Sequence, residues 1–153
     1  ALPLQTRKIA LYGPGSRMTV KGGLGSGDVR ERHSVSIEEG LKNAGFSFPT
    51  TLWMDRFEGK YRDELDNWKA DVEEKIKGFS PIQSMKMFDV IHSIPQPLPA
   101  CTPILEDELT EETDTAVYVL ARQAGEGGDR RCEQGDYLLS DIEEESLKLL
   151  SAL

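Results

Sequence analysis

The sequence predicts an α/β fold, a mostly parallel sheet flanked by helices in the manner of an α/β/α sandwich with flavodoxin-like layers. Three observations predict it. Two short apolar runs, KIALY at residues 8–12 and AVYVL at 116–120, each lead into a glycine-bearing turn, the pattern of buried parallel strands. Stretches with the 3.6-residue apolar spacing of helices, bounded by capping residues, lie between and after them. The chain of 153 residues, 38% hydrophobic and 29% charged, has the size and composition of one globular domain covering 1–153.

Taken in order, residues 8–12 form the first strand, closed by Gly13, Pro14 and Gly15. The GGLGSG stretch at 22–27 is a loop whose backbone takes unusual dihedrals or passes close to a ligand. A helix starts next. Ser36 and Glu39 have capping-box spacing, Val35, Ile37, Leu41 and Ala44 share an apolar side, and Gly45 supplies the stop. A short second strand falls within 46–52, broken or delayed by Pro49.

Residues 54–77 form the clearest helix. Phe57, Tyr61, Leu65, Trp68, Val72 and Ile76 draw one apolar stripe, and Gly78 ends it. The commonest partner for such a stripe is the domain's own sheet. Residues 79–113 contain Pro81, Pro95, Pro97, Pro99 and Pro103, so regular structure there must be short. Within them, 87–91 fits a strand or a helical turn, and the acidic run 106–112 fits the opening of a helix or, more ordinarily, a solvated loop. Order returns with the strand at 116–120 and a final helix from Ser140, where Ser140 and Glu143 again have capping-box spacing. Ile142, Ser146 or Leu147, Leu149 or Leu150, and Leu153 give that helix its apolar side. No strand follows it, so the sheet is expected to be incomplete at the C-terminal end.

The net charge of −9 argues against a nucleic-acid partner, because phosphate contacts need clustered Lys and Arg, and Arg130 with Arg131 are too few. No apolar run approaches the ~20 residues of a membrane span, and the N-terminus lacks a charged-then-apolar leader. Together with only two cysteines this leans towards the cytoplasm, while the start at Ala1 rather than Met suits a processed or excised segment and leaves the location open. Cys101 and Cys132 flank the second strand, and two free thiols are a more ordinary expectation than a disulfide. His33 and His92 stand alone. No metal and no cofactor is expected.

Two segments invite a chemical reading. Glycines after a first strand can cradle phosphates, but Gly13-x-Gly15 is followed by Met18 where a dinucleotide fingerprint has its third glycine, and no Gly-Lys-Ser or Gly-Lys-Thr loop is present. A loop shaped for another domain or an uncharged ligand fits better. The second segment is Glu126, flanked by Gly125, Gly127 and Gly128 directly after a strand. Glycines free the backbone to project a carboxylate into a cleft, and Asp129 and Arg130 can orient it. A general acid must keep its proton near neutral pH, which burial or a second carboxylate achieves. The plainer alternative is an exposed turn, for which Gly, Glu and Asp are ordinary residues.

The stretch KIALYGPGSRMTVKGGLGSGDVRERHSVSIEEGLKNAGF, with Leu2-Pro3-Leu4 before it, resembles the start of the C-terminal α/β domain of family 3 glycoside hydrolases, the β-glucosidase and β-xylosidase family. DTAVYVLARQAGEGGDRRCEQGDYLLSDIE resembles a later segment of the same domain, in which a GEG-x-DR loop precedes a GD-x-x-L-(S/T) helix entry. The two blocks span nearly the whole chain, with residues 79–113 unmatched. The KGGLGSGDV form of the glycine loop is similar to that of a permuted subgroup in which this domain precedes the barrel.

The resemblance implies a retaining β-glycosidase acting on terminal β-linked sugars such as β-glucosides, in which a separate barrel domain carries an aspartate nucleophile on an SDW-type segment. It implies that Glu126 is the general acid/base. Asp129 and Arg130 would shape its loop, and Gly22, Gly23, Gly25 and Ser26 would match the glycine loop at the pocket edge. The expected partners are thus a β-linked oligosaccharide or glycoside and the barrel domain. No SDW-type segment occurs in this chain, so on its own it should have little activity. The alternatives are a non-catalytic carbohydrate-binding or domain-packing module and, further off, a nucleotide- or flavin-binding domain.

Overall fold

The apolar part of KIALY, residues 9–12, must lie buried on both faces, and the computed structural model of the chain buries it so, leaving Lys8 exposed. The structure describes residues 3–22, 32–94, 97, 99–124 and 129–152. Strand β1, Ala10–Tyr12, pairs in parallel with strand β2, Ala116–Tyr118, in the register Ala10↔Ala116, Leu11↔Val117 and Tyr12↔Tyr118. Backbone bonds extend the ladder at both ends, from the Ala10 amide to Thr115 O (2.9 Å) and from the Val119 amide to Tyr12 O (2.9 Å). The α/β class and the parallel pairing are therefore as the sequence predicts.

Four helices accompany the sheet among the described residues: α1 (Ile37–Asn43), α2 (Leu52–Ile76), α3 (Ser84–Ser93) and α4 (Asp141–Ser151). Ser36 caps α1 by accepting the Glu39 amide at 3.1 Å. Glu39 does not close the box but meets His33 Nε2 at 3.2 Å. The helix ends in a Schellman motif, with Gly45 at φ +85°, its amide on Lys42 O and the Phe46 amide on Leu41 O. The expected second strand contracts to one parallel bridge, Lys8↔Ser47. Pro49 has no amide to extend the ladder, and α2 begins at Leu52.

The chain divides into two compact units, Ala1–Phe57 with Cys101–Leu153, and Glu58–Ala100. In the first, Ile9, Ala10, Leu11, Tyr12, Trp53, Met54 and Phe57 form the buried core. Trp53 stacks on Phe57 at 5.2 Å between ring centres and meets Tyr12 edge-on at 6.5 Å. Burial of each such side chain contributes about 1.5–3 kcal/mol. Polar tips find partners: Trp53 Nε1 donates to Thr102 O (3.1 Å) and Tyr12 Oη to Glu108 O (2.9 Å).

The second unit holds most of α2's stripe, and here the sequence expectation needs correction. Only Phe57 of that stripe enters the sheet-bearing core. Tyr61 and Trp68 instead donate to Pro97 O and Ile94 O, both at 3.3 Å, within the proline-bearing stretch that follows α3. Residues 87–91 lie inside α3 and are helical. The acidic run is not simply solvated either. Glu108, in the 3-10 turn Glu106–Glu108, is 2% exposed and forms a two-pronged pair with Arg56 at 2.6 and 2.8 Å. Among the described residues no helix is long and apolar enough to cross a membrane.

Candidate functional site

Parallel strands β1 and β2 release their chains at the same edge of the sheet, and both predicted loops follow from there. After β1 the backbone turns sharply at Gly13 (φ +91°) because it runs against β2's continuation. A Cβ on Gly13 would lie 2.3 Å from Val119 O, and one on Gly15 would lie 2.7 Å from Val119 Cγ1. These glycines serve close backbone approach within the fold. The amides that a phosphate would need are also taken: Gly15 donates to Val119 O, Ser16 to Gly13 O and Met18 to Pro14 O. For the GPG turn, this corrects the expectation of a surface shaped for another domain or ligand, and it disfavours a phosphate cradle there.

The segment leaving this turn is tied to α1 and α2. Thr19 Oγ1 donates to Gly15 O (2.9 Å) and accepts the Ile37 amide (2.9 Å). Arg17 bridges Glu38 (2.7 Å) and Asp55 (2.5 Å). Gly22 is described, at an exposed bend. Gly23, Gly25 and Ser26 lie outside the described residues.

After β2, Leu120 and Ala121 lead to Arg122, whose guanidinium forks onto Glu143 at 2.7 and 2.6 Å. Glu143 is 2% exposed and also accepts the Ser140 amide at 2.8 Å, closing the capping box of α4. Burial alone would raise its carboxyl, but Arg122 and the Ser140 amide outweigh that and hold it below the usual carboxylate range. The pairing with Glu143 in turn raises the Arg122 guanidinium, against the lowering effect of burial.

Glu126 lies outside the described residues, between Ala124 and Asp129. Asp129 is exposed and Arg130 half-buried. Arg130 donates through one nitrogen to Asp136 Oδ1 at 2.5 Å and through another to the Gln123 carbonyl on the opposite side of the loop. Asp136 Oδ2 accepts the Arg131 amide at 2.8 Å. That amide, then the Arg130 guanidinium, lowers the Asp136 carboxyl below its ordinary value.

Sequence reasoning thus missed Arg122, Gln123, Asp136 and Glu143. Glu143 was visible only as a cap, since nothing local joins it to an arginine 21 residues earlier. The two cysteines are free. Cys101 Sγ meets Tyr118 Oη at 2.6 Å, and burial raises both groups above their usual values. Among the described residues no cluster of three or more His, Cys, Asp or Glu could hold a metal ion.

No protein-family model matches the chain, and no curated protein does. Among solved structures, beta-glucosidase 3B from Thermotoga neapolitana in complex with glycerol is similar, at 33% identity and a TM-score of 0.61. The match covers 99% of this chain and 19% of that one. The chain therefore spans about a fifth of the length of the enzyme it resembles, and the likeness supports a glycosidase-related role.

Proposed function

We propose that the chain is the α/β part of a retaining β-glycosidase, acting beside a barrel domain that carries an aspartate nucleophile, with Glu126 as general acid/base. The observation that carries the proposal is the likeness, at 33% identity over 99% of the chain, to a stretch of a β-glucosidase. The GEGGDR segment after β2 gives that likeness a chemical focus. Asp129 and Arg130 shape the loop, and the glycine segment with Gly22, Gly23, Gly25 and Ser26 borders the sugar pocket.

In this reading the two carboxyl groups stand about 5–5.5 Å apart across the scissile bond. The aspartate attacks the anomeric carbon while Glu126 gives its proton to the departing glycosidic oxygen. That transfer avoids expulsion of a bare alkoxide. Glu126, now ionised, takes a proton from water as the water's oxygen displaces the aspartate and releases the sugar. Proton transfer of this kind contributes about 10²–10⁴ in rate.

The test is Glu126→Ala in the full-length protein. Hydrolysis of aryl glycosides with poor leaving groups should fall by about 10²–10⁴, while substrates with activated leaving groups retain much of their first step. Azide, which needs no general base, should partly restore turnover. If poor-leaving-group substrates are cleaved as before, Glu126 is not the acid. A raised KM without azide rescue would instead assign the domain a binding role.

A further inference from the structure

We infer that the pairs Arg122–Glu143 and Arg130–Asp136 position the acid/base loop, holding both of its ends on one support; the inference rests on the glycosidase reading above. At the first end, Arg122 donates to both oxygens of Glu143 (2.7 and 2.6 Å), to Ala121 O (2.8 Å) and to Leu138 O (3.3 Å). At the other end, Arg130 reaches Asp136 (2.5 Å) and, across the loop, the Gln123 carbonyl. The two ends are therefore cross-linked to each other. Both acids belong to the short stretch 136–143 that opens α4. Glu143 is fixed there by the Ser140 amide (2.8 Å) and Asp136 by the Arg131 amide (2.8 Å).

Stability alone does not account for this arrangement. Desolvation offsets most of what a buried ion pair gains, so Arg122–Glu143 contributes little over an apolar pair of the same shape. What the planar guanidinium fork supplies is direction. Direction is what a general acid needs, because a displacement of about 1 Å can cost roughly 100-fold in rate. In this scheme none of the four residues touches substrate. They are positioning residues that act through Glu126.

A general loss of folded enzyme slows every substrate by the same factor, whereas a misplaced acid slows poor leaving groups more than good ones. The test is therefore the ratio of kcat/KM for 2,4-dinitrophenyl β-glucoside to that for phenyl β-glucoside, measured on the full-length protein. Arg122→Ala and Arg130→Ala should each raise this ratio roughly tenfold or more, with Arg130→Lys intermediate. The ratio does not depend on the active fraction, so partly folded variants still report. If Arg122→Ala does not fold at all, Arg122→Lys and Asp136→Asn carry the measurement.

Unchanged ratios in the arginine variants beside a raised ratio in Glu126→Ala would overturn the positioning role alone. An unchanged ratio in Glu126→Ala would remove Glu126 as the acid and this inference with it, and a wild-type protein inactive on both glucosides and on the matching β-xylosides would remove the glycosidase reading as well.

Discussion

Gly13 and Gly45 both sit at positive φ, +91° and +85°, yet for different reasons. Gly45 is a helix stop with open space around it, so an added Cβ meets nothing within 4 Å. Gly45→Ala should cost only the left-handed backbone penalty, about 1–2 kcal/mol. Gly13 carries the same penalty and a collision besides, with Val119 backbone atoms at 2.3, 2.6 and 2.8 Å from the would-be Cβ. Backbone on a paired strand has little room to yield, so Gly13→Ala should cost roughly 2–4 kcal/mol or prevent folding. Urea denaturation of the two variants decides the matter. Equal losses would mean that close approach to β2 is not what demands glycine at 13.

At the scale of elements, α4 shows how one residue serves two structures. Ser140 and Glu143 exchange backbone bonds as a capping box, and Glu143 also receives Arg122. Ser140→Ala should cost about 1 kcal/mol in chemical denaturation and leave the Arg122 pair in place; a loss near zero would mean the box adds nothing beyond the pair. Caps and stops were legible in the sequence because they act over three or four residues: Ser36, Gly45, Ser140 and Glu143 all occupy their expected places.

Periodicity likewise marked α2's apolar stripe but not what it packs against, since a stripe records only that one side is apolar. That is why Tyr61 and Trp68, read as facing the sheet, turn out to bond to Pro97 and Ile94. Glu108 looked solvated because its partner, Arg56, is 52 residues away. The site divides in the same way. The loop composition was legible, whereas Arg122–Glu143 depends on tertiary pairing that no local spacing encodes.

For the molecule as a whole, the same device recurs three times among the described residues of the sheet-bearing unit: a buried glutamate paired to an arginine. Glu38 pairs with Arg17, Glu108 with Arg56 and Glu143 with Arg122. In each case burial pushes the carboxyl up, and the hydrogen bonds and charge of its partners push it further down, to below the ordinary 4.5. A carboxyl lowered by folding binds its proton less readily in the native than in the unfolded chain. Its contribution to stability is therefore complete above about pH 5 and is lost as pH falls through the carboxylate range. Each pH unit of lowering is worth about 1.4 kcal/mol.

An opposing effect exists. With a net charge of −9, mild acid also relieves self-repulsion, which by itself would stabilise the fold. Exposed charges are screened within about 10 Å at ordinary salt, whereas the three pairs, with their glutamates buried, are screened much less, so the loss should win. Trp68→Phe leaves Trp53, in the core of that unit, as the fluorescent reporter. Its urea midpoint should fall steadily between pH 5 and pH 3. Where it still folds, Glu38→Gln, Glu108→Gln and Glu143→Gln together should give a flatter profile from a lower start. A midpoint as high at pH 3 as at pH 7 would show that charge relief outweighs the paired glutamates.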